Sequence, residues 1–349
     1  MIDTEDKLSA LLPALRAAPW IALDTEADSL HAYPEKLCLL QISSEGVEAL
    51  VDPLTPVQLA PLMHVLGDHE LIMHGSDYDL RLLRKTFDFT PKAIFDTMLA
   101  ARLLGLREFG LGHLVAKYLN VKLEKGPQKA DWARRPLTPR MEEYARNDTR
   151  FLKPLSDLLR QELRDKGRLA WHEEYCRRLI KDCSVVKPPD PEVWRVKGSF
   201  HLGPNALAVL RSVWYWREKE AVAANRPPYF ILQPETMIGM AIAAIEGRPF
   251  APLIPKRFSP RRYSTLIKAV EHGLQSPDKP QLLRTPHYRQ NAEEKRRYHE
   301  LEKVRDKRAH ELGIDPTIIA SRAALVQLAR DGRGEPEITL MDWQNELLK

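Results

Sequence analysis

The sequence predicts an α/β domain with a mixed sheet, followed by an almost wholly helical C-terminal part, and three observations carry that expectation. In the first 52 residues the apolar runs WIALDTE, KLCLLQIS and VEALVDP are joined by connections too short for crossover helices, so these strands should pair antiparallel. From LIMHG (Leu71 to Gly75) onward a strand is followed by a helix, the βα order that parallel pairing needs. Beyond residue 200 the pattern is helical, in amphipathic stretches opened or closed by proline.

Taken in order, Lys7 to Leu15 reads as a short amphipathic helix ahead of the first strand. The helix after LIMHG runs from Asp77 to Phe87, and AIFDTMLAARLLG and LGHLVAKYLN follow it. A long helix starts near Pro139, with Thr138 as its N-cap and proline in its first turn. Pro154 must kink or split that helix. The stretch CSVVKPPDPEVWRVKGS has the proline density of a linker or docking strap. After it come two small helical bundles, one ending near residue 283. The expected division is therefore residues 1–185, a linker over 186–200, a helical domain over 201–283 and a second over 284–349.

Composition narrows the function. No window of about 18 uncharged apolar residues is present, and the N-terminus carries acids where a secretory leader needs basic and apolar segments. Neither export nor membrane insertion is expected. Three cysteines, Cys38, Cys176 and Cys183, lack the paired spacing of a zinc site and read as reduced structural residues in a cytoplasm. The net charge of +5 is uneven: residues 1–200 hold 29 Lys+Arg against 30 Asp+Glu, giving −1, and the remainder holds 24 against 18, giving +6. A basic module beside a near-neutral one suits a polyanionic partner, although a solvated surface with a slight cationic excess reads the same way.

Candidate chemistry begins with Asp24 and Glu26. Two residues apart on a strand, they point to one side, where they repel each other unless a cation lies between them. Hard divalent cations such as Mg²⁺ take this kind of oxygen ligand, but a D-x-E pair at a strand end is also what solvent-facing charges look like. In EEYARNDTRFL, Tyr144 and Asp148 share a helical face, with Ala145 small enough to let that face pack closely. Such a pair can hold a water between phenol and carboxylate, or simply cap a core and face solvent. In HGSDYDLRLLRK, Asp79 lies closer to the apolar face than Asp77, yet Ser76-x-x-Asp79 also has capping-box spacing.

Together DTE, HGSDYD and YARND resemble, in this order and at suitable distances, the three motifs of the DEDDy group of 3′→5′ exonucleases. Within that group the chain resembles the bacterial ribonuclease D family, a similarity that extends over KLCLLQIS, IFDTMLAARLLG, FGLGHLV and ADWARRPLT. The segment from about 200 to 283 is similar to the HRDC domain, and the tail to a weaker second HRDC-like part. The resemblance implies a ribonuclease H-like fold and two divalent metal ions, Mg²⁺ or Mn²⁺, held by Asp24, Glu26, Asp79 and Asp148. It further implies two-metal phosphodiester hydrolysis, with Asp24 bridging, Asp79 on the leaving-group side and Tyr144 aiming the water. After DTE this chain has Ala27 and Asp28 where many relatives carry a bulky apolar residue, which bears on the grip of the 3′-terminal nucleotide alone.

Substrate contacts are expected from His74, Trp132 and Arg135, each of which has a structural alternative: a satisfied strand-end histidine, or a loop anchored on the sheet. IPKRFSPRRYSTLIK interleaves Lys256, Arg257, Arg261 and Arg262 with Phe258 and Tyr263, a mixture that suits single-stranded nucleic acid or a solvated helical face. EEKRRYHELEKVRDKR alternates sign and reads as an ion-paired exposed helix. The expected protein is thus a monomeric, cytoplasmic 3′→5′ exoribonuclease acting on single-stranded RNA ends such as tRNA precursors. A DNA exonuclease and a catalytically silent RNA-binding scaffold are the alternatives.

Overall fold

Strand β1 (Ile21–Ala27) divides its side chains between two cores, and this division decides where the acids point. Ile21 and Leu23 join the main core, while Ala22 packs with Ile72 and Leu152 on the opposite face. By the two-residue alternation of a strand, Asp24 and Glu26 fall on the Ala22 face. The structure, a computed structural model, describes residues 1–124, 126–186, 188–281, 290–330 and 339–349. Helix α1 (Glu5–Ala17) precedes β1; β2 (Leu37–Ser44) and β3 (Val47–Val51) follow it. Both of these pair antiparallel, as the short connections predict. After α2 (Ala60–Gly67), β4 (Glu70–Met73) pairs parallel to β1, and β5 (Ala93–Asp96) pairs parallel to β4. The sheet order is β3-β2-β1-β4-β5, which puts the acid-bearing strand at its centre.

Between β4 and β5 lies α3 (Asp77–Phe87), and α4 (Thr97–Leu103) starts directly from β5. Then come α5 (Leu111–Leu119), α6 (Pro139–Arg150), α7 (Leu152–Asp165) and α8 (Leu169–Ser184). Thr138 does cap α6, its side chain accepting from the Met141 N–H. The long helix divides at Phe151, which leaves Pro154 in the first turn of α7, where its missing donor is no loss. Two devices fasten α6 to the sheet: the Ser43 and Thr149 hydroxyls hydrogen-bond at 2.7 Å, and Arg150 pairs with Glu48 at 2.8 Å.

The chain forms two compact units: Met1–Ala27 with Leu37–Val185 and Arg289–Lys349, and Asp28–Lys36 with Val186–Tyr288. In the second unit α9 (Pro204–Ala224), α10 (Pro228–Ile231), α11 (Pro234–Ile245) and α12 (Pro260–Gln275) enclose a core containing Trp194, Leu207, Leu210, Met237 and Leu266. The proline-rich stretch thus contributes an anchor: Trp194 is buried in that core. Tyr33 joins the same unit, donating its hydroxyl to Glu218 at 2.5 Å. Arg261 and Arg262 both pair with the buried Glu220, at 2.7 and 2.9 Å, and Arg257 donates to the Phe230 carbonyl. These three cations of the expected nucleic-acid stretch each have a partner within this unit, while Arg257 and Arg261 stay exposed.

The last helices are α13 (Ala292–Leu312), α14 (Pro316–Ile319), α15 (Arg322–Ala329) and α16 (Asp342–Leu347). Sequence alone sets residues 284–349 apart as their own bundle. Instead the described part of this segment belongs to the first unit, with Ala309, Ile314, Ile319 and Trp343 sharing one core with Leu103, Leu155 and Leu159. Beside a small apolar cluster of their own around Ala320, Ala324 and Leu325, these helices complete the larger core on α4 and α7. Helix α13 carries the expected ion pairs, among them Arg308 with Glu311 at 3.0 Å. No helix among the described residues is long and apolar enough to cross a membrane.

Candidate active site

Asp24 and Glu26 meet Asp148 above the centre of the sheet, where the three offer carboxylate oxygens that all lie within 4.8 Å of one another. Asp148 arrives on α6, one helical turn after Tyr144, and the Tyr144 hydroxyl donates to its carboxylate. The β1–β2 pairing shifts register between Glu26 and Ala27, with Cys38 of β2 as the extra residue, beside the strand end that carries Glu26. All four side chains line a cavity of about 750 Å³ together with Thr25, His74, Asp79, Asn147 and residues 110–112.

Asp79 reaches the same cavity from α3 but stands outside the tight trio. Its carboxylate accepts a 2.5 Å hydrogen bond from the Thr25 hydroxyl. The capping-box alternative fails here, because Ser76 makes no side-chain cap and instead donates its hydroxyl to Asp96 at 2.8 Å. Asp96 is the residue that sequence reasoning passed over. Buried at the end of β5, it accepts from the N–H groups of Gly75, Ser76, Met98 and Leu99 as well as from Ser76 Oγ. One carboxylate thereby ties the starts of α3 and α4 together and sets where Asp79 begins. The signal was present as Asp-Thr at a strand-to-helix junction, an N-cap pattern.

Electrostatics mark the cluster as incomplete on its own. Burial, then the charges of Asp79, Asp148 and Glu26, hold the Asp24 carboxyl well above the usual carboxylate range. Burial and the Asp148 and Asp79 charges push Glu26 up to about 9. Burial likewise takes Asp148 to about 7 and Asp79 to about 6, against the hydrogen bonds from Tyr144 and Thr25 that lower them. Such carboxyls are neutral or strained at pH 7 unless positive charge enters. Burial and the neighbouring carboxylates raise Tyr144 further above its ordinary value, so it stays a phenol.

Tyr144 is held on both sides. Its ring centroid lies 6.0 Å from that of Trp132. Against the ring also lies Gly126, where a Cβ would fall only 1.6 Å from Tyr144 Cδ2. Nothing in the sequence pointed to Gly126; residues 110–112 lie in FGLGHLV, a stretch of the family resemblance to which no role was assigned.

His74 lines the cavity. The Thr97 hydroxyl donates its one proton to the Met73 carbonyl at 3.1 Å, so at 2.8 Å it can only accept from His74 Nδ1–H. Burial lowers the His74 pKa, leaving a neutral ring whose Nε2 is an acceptor. The other two expected substrate contacts are corrected. Trp132 is 1% exposed and packs beneath Tyr144 with Cys38, Leu50 and Met141, so it has no face for a base. Arg135 pairs with the buried Asp52 at 2.5 Å and donates to the carbonyls of Trp132 and Cys38, so its guanidinium is committed to the fold.

Residues 1–164 match the family model described as 3′-5′ exonuclease. A ribonuclease D of Xanthomonas oryzae pv. oryzae is 30% identical over 359 residues, an alignment covering 99% of this chain and 94% of that one. The chain belongs to the ribonuclease D family. A ribonuclease D of Zymomonas mobilis is 34% identical over 273 residues, 77% of this chain and just under two thirds (66%) of that relative. Among solved structures, Escherichia coli RNase D, an exoribonuclease involved in structured RNA processing, aligns with TM-score 0.75 and 27% identity over 99% of this chain and 95% of that one. The acidic donor set fits the cofactor of a ribonuclease D-type exonuclease: two divalent metal ions, for which clustered carboxylate oxygens are the natural ligands.

Proposed function

We propose that this chain is a metal-dependent 3′→5′ exoribonuclease that shortens single-stranded RNA ends to 5′-mononucleotides, acting as a monomer in the cytoplasm. The observation that carries this reading is the convergence of Asp24, Glu26 and Asp148 within 4.8 Å, at a cavity that also takes in Asp79, Tyr144 and His74. Asp24, Glu26, Asp79 and Asp148 are the ligand set. When bound, the divalent ions lower the pKa of a coordinated water and offset charge developing on the phosphate.

The chain's own residues do the positioning. Tyr144 gives its proton to the Asp148 hydrogen bond, which leaves the phenol oxygen free to accept from the attacking water and aim it. With its pKa raised, Tyr144 orients rather than deprotonates. Nε2 of His74 offers an acceptor to a ribose hydroxyl of the terminal nucleotide, a contact that distinguishes RNA from DNA. Structured RNAs such as tRNA precursors, trimmed at their 3′ ends, are the substrate class; for the E. coli relative the described role is structured RNA processing. The three buried free cysteines suit a reducing compartment.

The test is digestion of 5′-labelled and 3′-labelled RNA and DNA of one sequence, with Mg²⁺, with Mn²⁺ and with chelator. A ladder shortening from the 3′ end, mononucleotide release, and loss of both in Asp24→Asn are expected. Retained activity in Asp24→Asn or in chelator overturns the mechanism, and preference for DNA overturns the substrate assignment.

A further inference from the structure

A second opening, of about 600 Å³, lies in the same unit as the acidic cavity, between the loop of residues 105–109 and the α13–α14 corner. Its loop continues directly into residues 110–112, which line the acidic cavity. One stretch of backbone is therefore the wall of both.

That wall is built firmly. Gly105, at φ +87°, approaches Gly313 so closely that a Cβ would fall 2.0 Å from the Gly313 carbonyl oxygen. Arg168, buried beneath, donates to the Leu103 carbonyl at 2.7 Å and to the Leu312 carbonyl at 2.6 Å, joining the two rims. Trp171 and Trp343 stack with centroids 4.8 Å apart.

On the loop side this mostly apolar lining carries two arginines and an aromatic ring. Arg102 stands 5.7 Å over the ring of Phe109, which is 36% exposed. Asp315, on the far rim, accepts from the Thr317 hydroxyl and N–H, and these bonds, with Arg102 and Arg305 nearby, hold its carboxyl below the usual range. Asp315 thus offsets Arg102. Arg107 is exposed and has no hydrogen-bond or ion-pair partner among the described residues. A free guanidinium beside an exposed aromatic ring fits a nucleic-acid strand: the ring stacks a base and the cation meets a phosphate.

We propose that this opening is the subsite for RNA nucleotides upstream of the scissile bond, with Phe109 stacking a base and Arg107 pairing with a phosphate. A strand whose 3′ end sits at Asp24 and whose body runs over Gly110 meets Phe109 and Arg107 next. The proposal rests on the exoribonuclease reading and adds a length preference to it.

The test compares kcat/KM on a dinucleotide and on an RNA of about eight nucleotides with the same 3′ end, for wild type, Arg107→Ala and Phe109→Leu, between roughly 50 and 200 mM KCl. The ratio of long to short substrate should fall about 5–10-fold in each variant, through KM. In Arg107→Ala the slope of log affinity against log salt should become shallower by about 0.7, the value for one phosphate contact on a single strand. Equal losses on both lengths, or an unchanged ratio, overturn the subsite. Fluorescence anisotropy on the same long RNA reads the salt slope without turnover, so a wild type that binds RNA but cleaves nothing would sink the nuclease reading while still deciding this one.

Discussion

Glu26→Gln should stabilise the metal-free protein at neutral pH while abolishing its activity. In the folded chain the Glu26 carboxyl is raised to about 9 from 4.5, so the native state holds this proton more tightly than the unfolded chain does. Below about pH 4.5 both states carry the proton and the group is neutral in its effect. As pH rises towards 9 the unfolded chain releases the proton and the native chain keeps it, so native stability falls by about 1.4 kcal/mol per pH unit. At pH 7.5 that is about 3 units, or roughly 4 kcal/mol as an upper bound, and water in the cavity screens it towards about 2 kcal/mol. Gln keeps the shape and cannot ionise. With chelator present, its melting temperature should exceed wild type by roughly 3–6 °C at pH 7.5 and by only about 1 °C at pH 5. Circular-dichroism melts of both proteins at half-unit pH steps give the difference curve, in which groups remote from Glu26 cancel and the neighbouring Asp24 adds its own response. Divalent metal should raise the wild-type melt and lift the variant far less. A variant less stable than wild type at pH 7.5, or a difference flat with pH, would refute the electrostatic account of this site.

Three further outcomes follow from the same geometry. Gly126→Ala should lower kcat by about tenfold or more by displacing Tyr144, and add almost nothing in a Tyr144→Ala background; additive effects in that double-mutant cycle would remove the steric argument. His74→Leu should raise KM for RNA about 3–10-fold, the worth of one neutral hydrogen bond, and leave KM for DNA nearly unchanged. Equal changes on both substrates would show that His74 does not read the ribose. Asp96→Ala, which orphans five donors, three of them in buried hydrogen bonds, should cost on the order of 3–5 kcal/mol in urea unfolding, and a loss under about 1 kcal/mol would contradict its role in fixing α3 and α4.

Much of this architecture was legible because it rests on short-range chemistry. The antiparallel meander follows from connections too short to cross over, and the start of α6 from Thr138 and Pro139. Asp24, Glu26, Tyr144 and Asp148 were readable as pairs because the periods of strand and helix fix which neighbours share a face. Asp79 was preferred over Asp77 by the same helical reasoning, and Asp79 is the buried one of the two.

Tertiary packing decided the remainder. Trp132 and Arg135 look like a nucleic-acid contact in a line of sequence, yet burial of the indole and the Asp52 ion pair remove both from the surface. Arg261 and Arg262 belong to Glu220, forty residues away, which no local pattern reveals. The tail, whose helical pattern reads as a second bundle, shares its core with α4 and α7, because long-range apolar contacts rather than periodicity choose a helix's partner. Alone, the sequence determined which residues carry charge and which face of each element they occupy. Only the folded chain decided which charges are left unmatched, at the acidic cavity and at Arg107, since that depends on neighbours supplied by distant segments.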